Sequence, residues 1–212
     1  MSELSVHPLG EAALCCTLAP PVSLELQQRI WQLADGLRDT VGVQALIPGM
    51  NNLTLAFDPL RTDAATLEAA VQTAWARPAR RPRAGRLVEI PVVYDGADLD
   101  DVARHCQLAP DEVVRRHTQA AYIVYFLGFQ PGFAYLAGLD ESLHMPRRAE
   151  PRVSVPAGSV GIGGAQTGIY PLATPGGWQL IGRTSMPLFD AQAQPPTALS
   201  PGDRVRFVAV NA

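Results

Sequence analysis

The run YIVYFLGFQPGFAYLAGL, residues 122–139, decides the fold class. It holds two apolar segments rich in aromatic and β-branched residues, broken by Gly128, Pro131 and Gly132. Each segment is too short for a core helix, and both carry the residue types that suit a pleated sheet. The interruption supplies turn chemistry, with proline fixing φ and glycine accepting positive φ. The same alternation continues downstream in SVGIGG (159–164), GIYPLA (168–173), WQLIGR (178–183) and RVRFVAV (204–210). Many short strands with a turn signal every few residues predict a closed or nearly closed β-barrel. SPGD at 200–203 supplies its last turn.

Upstream, residues 87–93 read as a further strand, and 98–106 and 110–117 as two short helices. PARRPRAGR (78–86) cannot be helical through its prolines, so a boundary is expected there. Its arginines, Arg80, Arg81, Arg83 and Arg86, suit a solvated linker better than a phosphate-binding arm, because nothing aromatic is interleaved. In residues 1–77, a strand at 12–18 precedes a helix whose apolar face is Leu26, Ile30, Leu33 and Leu37. Ser23 can cap that helix, and Gly42 lies just beyond its end. Strands at 43–47 and 53–57 flank the turn PGMNN. A second helix, capped by Thr62 or Asp63, runs to Trp75 through Leu67 and Val71. The order strand, helix, strand, strand, helix predicts a small ferredoxin-like α/β domain.

Composition narrows the chemistry. The chain has 212 residues, and its 17 basic residues are all arginine. The absence of lysine excludes a P-loop lysine, a Schiff base and a lysine general base. A formal net charge of -3 gives no general attraction for nucleic acid or an anionic membrane. Hydrophobic content of 47% with 17% charged residues speaks against disorder. Cys15, Cys16 and Cys106 form neither a disulfide framework nor a zinc set. Adjacent strand residues face opposite ways, so Cys15 and Cys16 do not chelate together. No apolar run reaches membrane-spanning length, and MSELSVHPLGEAAL lacks the pattern of a secretory signal, so a cytoplasmic protein is expected.

Familiar catalytic motifs fail. GSVGIGG (158–164) resembles a phosphate loop in composition, but AQTGIYPL follows it, and a phosphate loop must open a helix. Tight turns at a barrel rim are the favoured reading. HExxH, GxSxG and CxxC are absent, and Ser154, Ser159 and Ser185 have no histidine near in sequence. His117 is the best-placed titratable group, as an acid or base or, alternatively, as the cap of its helix. What stands out is the density of aromatic, glycine and arginine residues between Phe126 and Arg183. Phe126, Phe129, Phe133 and Tyr135 are followed by Arg147, Arg148 and Arg152, then by Tyr170, Trp178, Gln179 and Arg183. Arginine forks suit carboxylate or phosphate, and glycines allow close approach to backbone. In an extended segment, Arg148 and Arg152 share a face while Arg147 points away. The pair is therefore expected to converge on one anion.

The stretches VEIPVVYDGADLDDVA, RHTQAAYIVYFLGFQPGFAYLAGLD, PRRAEPRVSVPAGSVGIGGAQTGIYPLATPGGWQLIGRT and LSPGDRVRF together resemble the KipI / 5-oxoprolinase B-subunit family, also called allophanate hydrolase subunit 1. The resemblance runs nearly unbroken over 87–208. It implies an α+β protein: an N-terminal α/β domain (1–77), a linker (78–86) and a cyclophilin-like β-barrel (87–212). It implies two partners, a C subunit (a related cyclophilin-like barrel protein) and an A subunit. ATP is the implied co-substrate, with magnesium accompanying it and no metal held by this chain. Together such subunits open 5-oxo-L-proline to glutamate. Inhibition of a sensor histidine kinase, and carboxyl transfer in a urea carboxylase-like or allophanate system, are the other roles that the family suggests. The candidate site set is then His117 as catalytic residue and Arg148, Arg152, Gln166, Tyr170 and Arg183 as substrate-binding residues. Phe129, Phe133, Gly176, Gly177 and Trp178 complete it as a pocket wall or partner interface.

Overall fold

The computed structural model describes residues 3–78 and 85–211. The linker arginines Arg80, Arg81 and Arg83 lie outside the described residues. The chain divides into two compact units, residues 1–83 and 84–212.

The first unit runs β1 (Leu4–Pro8), β2 (Ala13–Leu18), α1 (Leu24–Leu37), β3 (Val43–Gly49), β4 (Asn52–Phe57) and α2 (Ala64–Trp75). Its sheet has the order β1-β2-β4-β3, with every neighbour antiparallel. Both helices begin where an oxygen-bearing side chain meets an orphan amide. Ser23 accepts from the Leu26 N–H at 3.2 Å, and Asp63 from the Thr66 N–H at 2.8 Å. Ile30, Leu33 and Leu37 of α1 and Leu67, Val71 and Trp75 of α2 form one core with the inward residues of the sheet. Cys16 is buried on that side, Cys15 faces away, and burial pushes the Cys16 thiol up to about 12. The element order differs from the expected one by an added first strand. A ferredoxin-like unit ends on a strand that lies beside its first; here β1, from the start of the unit, occupies that edge next to β2. Only two apolar residues and a closing Pro8 mark β1, too little to declare a strand in sequence.

The second unit contains β5 (Leu87–Val92), α3 (Leu99–Cys106), α4 (Pro110–Gln119), β6 (Tyr122–Leu127), β7 (Ala134–Ala137), β8 (Arg152–Val155), β9 (Ser159–Gly163), β10 (Gln166–Ile169), β11 (Thr174–Gly176), β12 (Gln179–Arg183) and β13 (Arg204–Ala209). Seven of these strands form one sheet in the order β12-β9-β10-β7-β6-β13-β5, antiparallel except for the β13–β5 pair, while β8 and β11 form a separate ribbon. The sheet curls until its ends meet. Val93, just past β5, and Arg183 of β12 exchange two backbone hydrogen bonds of 2.9 and 2.8 Å. The result is a nearly closed barrel. Gly96 allows the next close approach. Its N–H donates to the Ile181 carbonyl at 3.2 Å, and a Cβ there would overlap the backbone of residues 180–182. The interior is filled by residues such as Ile90, Tyr122, Leu136, Ile162 and Phe207, with Val113 and His117 of α4 packed in as a plug.

Candidate functional site: an aromatic and arginine face on the barrel

The β9–β10 hairpin alternates strictly. Ile162 and Thr167 point into the barrel, so Gly163 and its register partner Gln166 point out, as do Gly161 and Gly168. The missing side chains make room for Trp178. Its ring lies flat on Gly163, where any Cβ would overlap the indole. Gly161 and Gly163 of GSVGIGG thus lie in a strand that accommodates a tryptophan, while Gly158 (φ 81°) and Gly164 (φ 66°) take the turn positions expected, at its two ends. Phe133 packs edge-on to Trp178 and to Tyr170, with ring centroids 5.4 Å apart in each case, and to Tyr135 at 5.0 Å. Phe126 stacks on Tyr135 at 4.3 Å. Tyr170 in turn fills the space over Gly176, whose Cβ would meet the phenol. This small core is separate from the barrel interior. Phe133 and Trp178, expected at a pocket wall or interface, are buried within it and hold the wall up from below.

Phe129 is the ring left outside. It is 59% exposed, and its φ of 66° is in the left-handed region that a bulky residue avoids. The Gln130 N–H donates to the Gly128 carbonyl at 2.7 Å, tightening the chain around Phe129. Pro131 and Gly132, the latter at φ 82°, form the next turn, closed by the Phe133 N–H on the Gln130 carbonyl at 3.0 Å. The Gln130 side chain ties the loop to the Leu172 carbonyl at 3.2 Å. The ring of Phe129 stands edge-on to Phe133 and Tyr170 at 5.4 and 6.3 Å. A strained backbone that presents an aromatic ring largely to solvent costs stability and returns little.

The three arginines of PRRAEPR separate as their spacing predicts. Arg148 and Arg152 converge on one anion, and that anion is internal: Asp98 Oδ1 accepts from them at 3.2 and 2.6 Å. Oδ2 of the same carboxylate accepts from the Leu180 N–H at 2.6 Å, and Asp98 is 2% exposed. Asp98 precedes α3 but does not cap it, because both oxygens are used across the barrel seam. Arg148 and Arg152, expected to bind substrate, here clamp Asp98, and Arg148 Nε and Arg152 Nη1 are left as buried donors without a partner among the described residues. Two further bonds pin the same segment, the Arg148 N–H on the Gly177 carbonyl at 2.7 Å and Gln179 Nε2 on the Pro146 carbonyl at 3.1 Å. Gly177 serves as that backbone anchor. Arg147, between the pinned residues, swings the other way and lies 5.9 Å over the Trp178 ring.

Two other expectations change. Arg183 sits at the seam, where Asp95 takes its Nε at 2.9 Å, an exposed pair that closes the barrel and does not join the aromatic face. His117 is fully buried. Thr167 Oγ1 donates to the Gly161 carbonyl at 2.9 Å and so accepts from His117 Nε2–H, also at 2.9 Å. The Tyr94 hydroxyl then donates to Nδ1 at 2.7 Å. Burial holds the imidazole down to about 3, so it is neutral at physiological pH. It is neither a solvent-facing acid–base group nor a helix cap. Gln166 and Tyr170 do belong to the aromatic face, and Gln166 Nε2 is a buried donor with no partner among the described residues. Among these residues, no group of three or more His, Cys, Asp or Glu is placed to hold a metal ion.

Residues 4–199 match the family described as carboxyltransferase domain, subdomain C and D. The 5-oxoprolinase B subunit of Escherichia coli O157:H7 is 52% identical over 211 residues, covering 98% of this chain and 97% of that one. The 5-oxoprolinase B subunit of Haemophilus influenzae is 46% identical over 208 residues, covering 97% of each. Among solved structures, the protein TTHA0988 superposes with a TM-score of 0.84 at 39% identity. That match covers 94% of this chain and 40% of the other, so this chain spans less than half of that protein's length. With full-length identity to two such subunits and a matching barrel, the chain belongs to the 5-oxoprolinase B-subunit family, within the carboxyltransferase subdomain C and D fold.

Proposed function

We propose that this chain is the B subunit of a cytoplasmic, ATP-dependent 5-oxoprolinase that hydrolyses 5-oxo-L-proline to L-glutamate and is inactive alone. The observation that carries the proposal is the end-to-end identity of 52% with a 5-oxoprolinase B subunit, which spans both the aromatic face and the arginine clamp. A lactam is a poor electrophile. Transfer of the γ-phosphoryl group of ATP to its carbonyl oxygen activates the carbon: water adds there, the C–N bond breaks with the ring nitrogen leaving as the protonated amine, and a second water hydrolyses the resulting acyl phosphate to carboxylate and phosphate. Such a reaction needs a dry surface for a small ring, a cation for its carboxylate and a second site for nucleotide and magnesium. The aromatic face with its arginine suits the first two requirements. The nucleotide site is assigned to the assembly with the C subunit, a related barrel, and with the A subunit. His117 is left out of the proposed chemistry because its ring is buried and both nitrogens are hydrogen-bonded to Tyr94 and Thr167.

The test compares 5-oxoproline-dependent ATP hydrolysis, with glutamate as product, for the purified chain and for the chain mixed with its partner subunits. Turnover only in the mixture is expected. Turnover by the single chain removes the partner dependence, and no turnover in the mixture removes the proposal.

A further inference from the structure

On the aromatic face, Arg147 lacks an ion pair and the Gln166 amide lacks an acceptor among the described residues, as do Arg148 Nε and Arg152 Nη1 in the clamp beside it. Arg147 makes no ion pair among the described residues, whereas its neighbours Arg148 and Arg152 share Asp98. Its guanidinium lies over Trp178, and its charge reaches the hydroxyls of Tyr135 and Tyr170. Gln166 Nε2 is a buried, unpartnered donor on the same outward face as Gly163 and Gly168, which carry Trp178. A buried amide donor without an acceptor carries the desolvation cost of an unmade hydrogen bond, so it calls for an acceptor from outside. Phe129 adds an exposed apolar wall, fixed to Tyr170 on the same cluster at the expense of backbone strain.

We propose that this face is the seat of the small carboxylated ring, with Arg147 as the partner of its carboxylate and Gln166 Nε2 as donor to a second acceptor on the ring. The assignment rests on the 5-oxoprolinase reading given above, and it moves the anion-binding role one residue along the chain, from the Arg148–Arg152 pair to Arg147. The clamp then has a purpose. Arg148 and Arg152 on Asp98, with Gln179 on Pro146, pin both flanks of Arg147, so that its guanidinium is placed before the ligand arrives. Rings below supply a flat apolar floor for the carbon skeleton of the ligand.

The experiment uses the assembled complex with two substrates, 5-oxoproline and 2-pyrrolidinone, the same lactam without its carboxylate. In the wild type, 5-oxoproline is the strongly preferred substrate. Arg147→Gln is expected to raise the KM for 5-oxoproline by about 10- to 100-fold, the equivalent of one charge-assisted hydrogen bond pair. It leaves the KM for ATP within about twofold and collapses the preference over 2-pyrrolidinone, because the lost contact is to the carboxylate alone. Arg147→Lys restores part of the preference, since charge remains and the fork is lost. The side chain is exposed, so a thermal melt matching the wild type is expected for both variants. An active complex in which Arg147→Gln leaves the KM for 5-oxoproline unmoved, or weakens both substrates equally, overturns the assignment alone. A wild-type complex inert toward 5-oxoproline sinks the function and this assignment together.

Discussion

At the scale of the residue, the informative positions are those where local chemistry runs against stability. Phe129 has a left-handed backbone and a solvent-facing ring, so the fold gains little from it. Comparing glycine with alanine there separates backbone from side chain. Neither has a ring, yet only glycine adopts this φ without penalty. Phe129→Gly is expected to be more stable than Phe129→Ala by about 1 kcal/mol in denaturant melts, while both lose activity in the complex. Equal stability of the two variants would show that the loop relaxes away from positive φ. The sequence singled out Phe129 as an aromatic among glycines but not its strain, since φ depends on the turn that Gln130 and Gly128 close. Asp98 was invisible for another reason. An aspartate before a helix reads as a cap, and its real partners lie 50, 54 and 82 residues further along.

At the scale of the element, periodicity and caps located most of the regular structure. Ser23 and Asp63 start α1 and α2, as their side-chain chemistry demands, and Pro110 opens α4. Missed were β1, β8 and β11, all edge strands with few inward residues. β8 carries Arg152, and the 145–152 strap it ends is where the clamp acts. Asp98→Ala removes the shared anion and leaves two guanidinium groups facing each other. Since Arg148 and Arg152 keep side-chain exposures of 35% and 23%, the loss is expected at about 2–4 kcal/mol, below that for a fully buried pair. A loss under about 0.5 kcal/mol in chemical denaturation would demote the clamp to a surface contact. The β9 strand offers a second check. Gly163→Ala forces its methyl into the Trp178 indole, so a shift in tryptophan fluorescence and a cost of about 1–3 kcal/mol are expected. An unaltered spectrum would mean that the ring does not rest on Gly163.

At the scale of the whole molecule, a closed or nearly closed barrel was legible from strand length and turn spacing, but the contacts that close it were not. Closure depends on Val93 meeting Arg183 and on Gly96 lying against residues 180–182, contacts that cross most of the second unit. His117 belongs to the same long-range order. From α4 it links Tyr94, beyond β5, to Thr167 on β10, and stacks at 4.5 Å on Phe207 of β13. A neutral imidazole stitching four elements has a consequence for acid stability. Its folded value of about 3 lies below the ordinary 6.5, so between these limits the unfolded chain binds the proton and the folded chain does not. Stability from this group is therefore complete above pH 6.5 and falls as the pH drops toward 3. The carboxylates Asp63, Glu112 and Asp140 are held low by their hydrogen bonds, and what they contribute is lost only below their ordinary values of 3.8 to 4.5. The window from pH 6.5 to 4.5 thus isolates His117. Unfolding free energy is expected to fall there by about 2–3 kcal/mol, roughly 1.4 kcal/mol for each pH unit. His117→Gln, which keeps an amide N–H for Thr167 but does not titrate, is expected to start less stable and to show a flat profile across the same window. A wild-type profile equally flat would mean that the imidazole takes up its proton within the fold, and that its place in the barrel is open to water.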